Sequence, residues 1–177
     1  MPKAFEVLKY MRGKQHFTGE MQRHKLLYYV QAWSLAWTGR PLFDDRVEAW
    51  TLGPVVPNVR NAILPLHPAT GSLSREEQAL VDAVLDHYGR LGGAELSNLT
   101  HQEGPWLDAR AGLPDDAPSS AEISHDAMRR EYTMQSLQGK GPQRPGIPPQ
   151  EADLDDVLNL AEVASSRWSR TLALLAE

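Results

Sequence analysis

The residues that could carry chemistry are six histidines, several adjacent carboxylates and scattered hydroxyl side chains, and they form no known catalytic pattern. No two histidines lie four residues apart, and the HExxH pattern of zinc proteases is absent. The chain also lacks a G-x-S-x-G elbow, a P-loop, a G-x-G-x-x-G loop and any cysteine nucleophile. The sequence therefore predicts a protein that is not an enzyme and that holds no cofactor or metal.

Three short polar clusters are the remaining candidates for chemistry. His101-Gln102-Glu103 could serve in acid–base or metal chemistry, but a histidine in a helix-ending turn more often caps a carbonyl or fills a polar niche. The carboxylate pairs Asp44-Asp45 and Asp155-Asp156 are adjacent in sequence, so their side chains point apart. Solvated turns and helix starts are the favoured interpretation of both pairs.

Tryptophan and arginine residues at segment ends suggest a different use, because these residue types most often anchor protein interfaces. Packing in the core is the competing interpretation and the favoured one for most of the aromatic residues. Gly53 and Pro54 could instead be present only to shape the backbone. The partner-binding candidates are Trp37, Arg40, Trp50, Gly53, Pro54, His101, Trp106 and Trp168.

The element that must position these residues is a central helix over residues 18–38. Leu26, Tyr29, Trp33 and Trp37 follow helical spacing, and further apolar residues widen the stripe until most of the circumference is apolar. Thr18 is the expected N-cap of this helix. Gly39 can adopt a left-handed cap and Pro41 cannot continue a helix, so the helix should end there. We expect this helix to be buried at the centre of the fold.

A minor β-hairpin or single strand is predicted near residues 43–50, where the pattern changes to a two-residue period. Asp44-Asp45 is the expected turn. Pro57 suits the first turn of a short helix that should carry Val59, Ala62 and Ile63 and stop before a proline.

The other helices have weaker but readable signals. The first spans residues 2–13, and a capping box at residues 74–77 opens another that ends at Gly92-Gly93. Helical turns follow at residues 96–101 and from Pro105, residues 112–120 read as a loop, and Ser124 caps a helix to Leu137. The predicted fold class is mainly α, a compact multi-helix domain around the central helix.

The chain divides into three parts by composition. Residues 1–137 form the domain, and residues 138–150 are a linker with three glycines and four prolines. Residues 151–177 have apolar residues at heptad spacing, which predicts an amphipathic C-terminal helix. That helix could pack on its own domain, which is the favoured alternative, on a second copy or on a partner.

Charge and hydropathy exclude several classes of protein. Residues 1–70 carry nine Lys/Arg and five Asp/Glu, whereas residues 71–177 carry nine and eighteen. Such an acidic chain with scattered basic residues argues against nucleic-acid binding as the main activity. No stretch approaches the roughly 18 apolar residues of a membrane span, and no leader is evident. We expect a soluble, cytoplasmic protein.

Two motifs resemble one known family. Residues 25–57, KLLYYVQAWSLAWTGRPLFDDRVEAWTLGPVVP, resemble the core of the Panacea family, the antitoxin domain of SocA-like proteins and of GepA-like prophage proteins. Residues 96–110, LSNLTHQEGPWLDAR, resemble its other signature, in the expected order. Together the motifs bracket roughly residues 5–137.

The resemblance implies an antitoxin of a toxin–antitoxin system that neutralises a cognate protein toxin by direct binding. Two alternatives stay open, a proteolytic adaptor that delivers the toxin to a cellular protease and a DNA-binding autoregulator. A homodimer is also open.

Overall fold

The computed structural model describes residues 1–64 and 73–146, and their mainly α architecture confirms the predicted fold class. Predictions for the C-terminal helix and for Trp168 lie outside the described residues. Residues Met1–Pro145 form one compact unit. Its elements are α1 (Ala4–Lys14), α2 (Glu20–Thr38), β1 (Glu48–Trp50), β2 (Gly53–Val55), a 3-10 turn (Pro57–Val59), α3 (Arg75–Tyr88), α4 (Gly93–Thr100), α5 (Gly104–Arg110) and α6 (His125–Leu137).

Helix α2 is the central helix, as predicted, and α3, α4 and α6 pack around it. Its side chains are buried almost without interruption, so the usual division into an apolar and a polar face is absent. The helix ends at Gly39, whose φ of 71° is left-handed and whose N–H donates to the Leu35 carbonyl. The predicted Thr18 cap is wrong. The N-cap is the next residue, Gly19, and the helix begins at Glu20, while the Gln22 side chain accepts the Thr18 N–H.

The predicted hairpin exists, but its position differs. Strands β1 and β2 pair antiparallel from Glu48↔Val55 to Trp50↔Gly53, so the turn lies at Thr51-Leu52. The predicted turn at Asp44-Asp45 is wrong, because both residues precede the hairpin. Asp45 instead accepts the N–H of Ala4, at the start of α1, at 2.7 Å. On its other edge β1 is held by two backbone hydrogen bonds, from Ala49 to Ala121 and from Ile123 to Val47, each 2.8 Å long.

Three helix boundaries also differ from the predictions. Gly13 lies inside α1, which continues to Lys14. Helix α3 stops at Tyr88, before Gly92-Gly93, and Gly92 is instead the N-cap of α4, where the Glu95 carboxylate accepts its N–H. The helix predicted after Pro57 is only a 3-10 turn. The capping box at Ser74 and the cap at Ser124 are confirmed.

The first part of the predicted linker packs on the domain. Gly141, at a φ of 84°, lies so close to the ring of Trp33 that any Cβ would overlap it, and Pro142 is buried. A glycine is required here both for the backbone angle and for the close approach.

A cluster of tyrosines fills the space between α2, α3 and α6 and surrounds one carboxylate. Tyr132 donates to Glu103 at 2.6 Å and Tyr29 donates at 3.3 Å, while the hydroxyls of Tyr132 and Tyr28 lie 3.1 Å apart. The rings of Tyr29 and Tyr88 stack at 4.0 Å. Burial raises the pKa of Glu103 to about 7, although the tyrosine hydrogen bonds act in the opposite direction.

This carboxylate makes stability depend on pH. The pKa of Glu103 is higher in the folded chain than in the unfolded one. The contribution of this carboxyl group to the free energy of unfolding is therefore fully present below about pH 4.5 and is lost as the pH rises through 7. We expect Glu103→Gln to be more stable than the wild type at pH 8, by roughly 1–2 kcal/mol, and to lose that advantage at pH 5. Urea unfolding of both proteins at the two pH values tests this. If the difference in free energy of unfolding between the two proteins were the same at pH 5 and pH 8, Glu103 would not titrate in this range.

Candidate partner-binding groove

A groove of about 710 Å³ opens beside the β-hairpin and is mostly apolar. Three segments form it, and we call it the hairpin groove. They contribute Glu20, Met21, His24 and Lys25 from the start of α2, Trp50, Thr51, Leu52 and Val55 from the hairpin, and residues 118–120 from the loop after α5. Its volume lies within the range of about 300–1,000 Å³ typical of ligand sites.

Arg110 fixes the loop wall of the groove. The side chain is 2% exposed, and its guanidinium donates to the carbonyls of Ala49 in β1 at 3.3 Å, Pro114 at 2.6 Å and Ala117 at 2.8 Å. It also lies 4.8 Å from the centre of the Trp106 ring. A planar group with five donors can join several carbonyls at once. Arg110 thus fastens the loop to the first strand.

Lys25 lies beneath the hairpin and is 1% exposed. Its ammonium donates to the Pro54 carbonyl at 3.2 Å, and the described residues offer no carboxylate partner for it. Burial lowers the pKa of Lys25 to about 7. A Cβ on Gly53, whose φ is 94°, would lie 2.7 Å from Lys25 Cε and 2.8 Å from Thr100 Oγ1. Gly53 therefore makes room for the lysine and permits the turn of the chain.

His24 is a fixed part of the groove and not a free acid or base. Its Nδ1 accepts the Val56 N–H at 3.3 Å. Burial, with the nearby charges of Lys25, Arg23 and Arg60, lowers its pKa to about 4. The imidazole is therefore neutral at pH 7, which leaves Nδ1 available as an acceptor.

The rim of the groove combines an apolar tip with basic side chains. Leu52, at the tip of the hairpin, is 59% exposed. The exposed Arg60 guanidinium lies 5.0 Å from the centre of the Trp50 ring. Arg23 forms an ion pair with Glu20. The guanidinium groups of Arg23 and Arg60 thus lie near the groove, and among the described residues only that of Arg23 is paired with a carboxylate.

The structure brings several predicted partner-binding residues to this groove. Trp50 lines it, while Gly53 and Pro54 lie behind it on Lys25. Trp106 supports it from below, 1% exposed, with Nε1 donating to the Trp50 carbonyl at 3.0 Å. His101 stacks on Trp106 at 4.0 Å, and its Nε2 is buried with no hydrogen-bond partner among the described residues.

Two other candidates lie at the opposite end of α2. Trp37 is only 6% exposed and packs against Trp33 at 5.2 Å, so packing in the core accounts for it. Arg40 is exposed. The partner-binding role of these residues stays a prediction.

The sequence reasoning missed four residues of the site, namely Lys25, Leu52, Arg60 and Arg110. A sequence signal could have identified Lys25: a lysine directly before an apolar run, on a helix with most of its circumference apolar, has few ways to reach solvent. The exposure of Leu52 and the contacts of the two arginines depend on tertiary structure.

Comparison with known proteins gives one match. Residues 24–107 match the family model described as the antitoxin SocA-like Panacea domain, which confirms the resemblance drawn from the two motifs. No curated protein and no solved structure matches the chain. Among the helices of residues 1–64 and 73–146, none combines the length and apolar character that crossing a membrane requires.

Proposed function

We propose that this chain, whose residues 24–107 match the SocA-like Panacea domain, is the antitoxin of a toxin–antitoxin pair and neutralises a protein toxin by direct binding. The family match carries the proposal. The matched residues include both strands of the hairpin and Lys25 beneath them. The part of the chain that resembles antitoxins is thus also the part that builds most of the hairpin groove.

Neutralisation by binding requires a sufficiently large interface between two complementary surfaces, and it requires no catalytic step. A stable interface buries about 1,200–2,000 Å² of total surface, which is enough to cover an active or target-binding surface of a toxin. The groove offers the combination found at such interfaces, an apolar centre with tryptophan and arginine at the rim.

Co-expression with the product of the adjacent reading frame tests the proposal. We expect the toxin alone to arrest growth, and we expect this chain to restore growth and to co-purify with the toxin. Growth without a complex would instead indicate a route through degradation, which the half-life of the toxin with and without the chain would reveal. Absence of both rescue and complex would contradict the proposal.

A further inference from the structure

We infer that the hairpin groove is the toxin-docking surface and that it receives a toxin segment in which a carboxylate side chain is flanked by apolar residues. The inference rests on the proposed function and adds to it the site and the chemistry of the partner.

The apolar part of the inference comes from the walls of the groove. Met21, Val55 and Pro118 line it, and Leu52 projects from the tip of the hairpin with 59% of its surface exposed. Leu52 therefore continues the apolar lining of the groove out to its exposed rim. Partners commonly anchor apolar side chains in such places, and a few of these contacts supply most of the binding energy.

The carboxylate part comes from the charges around the groove. The guanidinium of Arg60 lies over the Trp50 ring, and none of the described carboxylates pairs with it. Glu20 is already joined to Arg23. A segment with a negative side chain would meet the exposed, unpaired guanidinium of Arg60 here, whereas a basic segment would be repelled.

Single substitutions at the exposed rim test the inference without disturbing the core. We expect Leu52→Ala and Arg60→Glu each to weaken toxin binding at least tenfold, measured by calorimetry with the purified toxin. Leu137→Ala and Arg129→Glu are matched controls, because both residues are exposed on α6, and we expect less than twofold change. Circular dichroism of each variant checks that the fold is unchanged.

Three results would count against the inference, and they can be told apart. If the wild-type chain forms no complex, the proposed function fails and the inference fails with it. If the wild type binds and both rim variants bind equally well, the groove is not the docking surface, although the antitoxin role stands. If Arg60→Glu binds more tightly, the docked segment is basic.

A charge swap gives the strongest positive result. Arg60→Glu should regain affinity when one acidic residue of the toxin is replaced by arginine, and that residue then identifies the docked segment. If size-exclusion chromatography shows a dimer of the free wild-type chain that Leu52→Ala converts to a monomer, the groove holds a second copy and the inference is overturned.

Discussion

Lys25→Met is expected to raise the free energy of unfolding at pH 7 by about 3 kcal/mol. The ammonium of Lys25 is buried and, within residues 1–64 and 73–146, makes one hydrogen bond, to the Pro54 carbonyl; burial lowers its pKa from 10.5 to about 7. Methionine has a similar length and no charge to bury. It leaves the Pro54 carbonyl unpaired, at a cost of about 1 kcal/mol that offsets part of the gain.

The stabilisation by Lys25→Met should decrease as the pH rises. Because the pKa of Lys25 is lower in the folded chain, its contribution to stability is fully present above about pH 10.5 and is lost as the pH falls toward 7. The difference between the variant and the wild type should therefore decrease steadily between pH 7 and pH 10. Urea unfolding across this range measures it, and the exposed Lys140→Met should change stability by less than about 0.5 kcal/mol. A variant less stable than the wild type at pH 7 would show that the fold needs this amine.

A residue that costs stability and is nevertheless present points to a use outside folding. Because the Lys25 ammonium holds the Pro54 carbonyl beneath the hairpin, we expect Lys25→Met to change the shape of the hairpin and so to weaken toxin binding while it stabilises the chain. Gly53 lies against the same side chain, which ties the shape of the hairpin to the lysine.

Arg110→Lys is expected to lower the free energy of unfolding by roughly 3 kcal/mol, because it leaves buried carbonyls without donors. The guanidinium joins Ala49 in β1 to Pro114 and Ala117 in the loop, and an ammonium cannot reach all three. The loop wall of the hairpin groove should loosen as well, which would weaken toxin binding although no rim residue has changed.

Chemical unfolding measures the loss of stability, and hydrogen exchange of residues 111–123 measures the loosening of the loop wall. Arg129→Lys is the matched control, since that side chain is exposed and forms an ion pair with Asp126 on the same helix. If Arg110→Lys were as stable as the wild type, the loop would be held by other contacts.

Local sequence signals predicted where most helices lie and several of their ends, but they did not predict the groove. The end of α2 at Gly39 and the caps at Ser74 and Ser124 are set by residues within a few positions, so the sequence predicts them. The hairpin turn was misplaced because Asp45 is used by α1, 41 residues earlier in the chain. No local pattern reports such a contact.

The site was harder to predict, because charged residues are expected in water. Lys25 reaches a carbonyl 29 residues away and Arg110 reaches one 61 residues away, and only the folded chain places these partners together. Trp37 and Trp106 are both buried by neighbours from other elements, in agreement with the packing interpretation that the sequence favoured for most of the aromatic residues.

The most direct test of the account is to mix this chain with the purified toxin and to measure mass and toxin activity together. Light scattering coupled to size-exclusion chromatography gives the mass. We predict a stable complex of defined stoichiometry and a toxin activity that falls in proportion to the complex formed. Full toxin activity, with the two proteins eluting separately at micromolar concentration, would contradict neutralisation by direct binding.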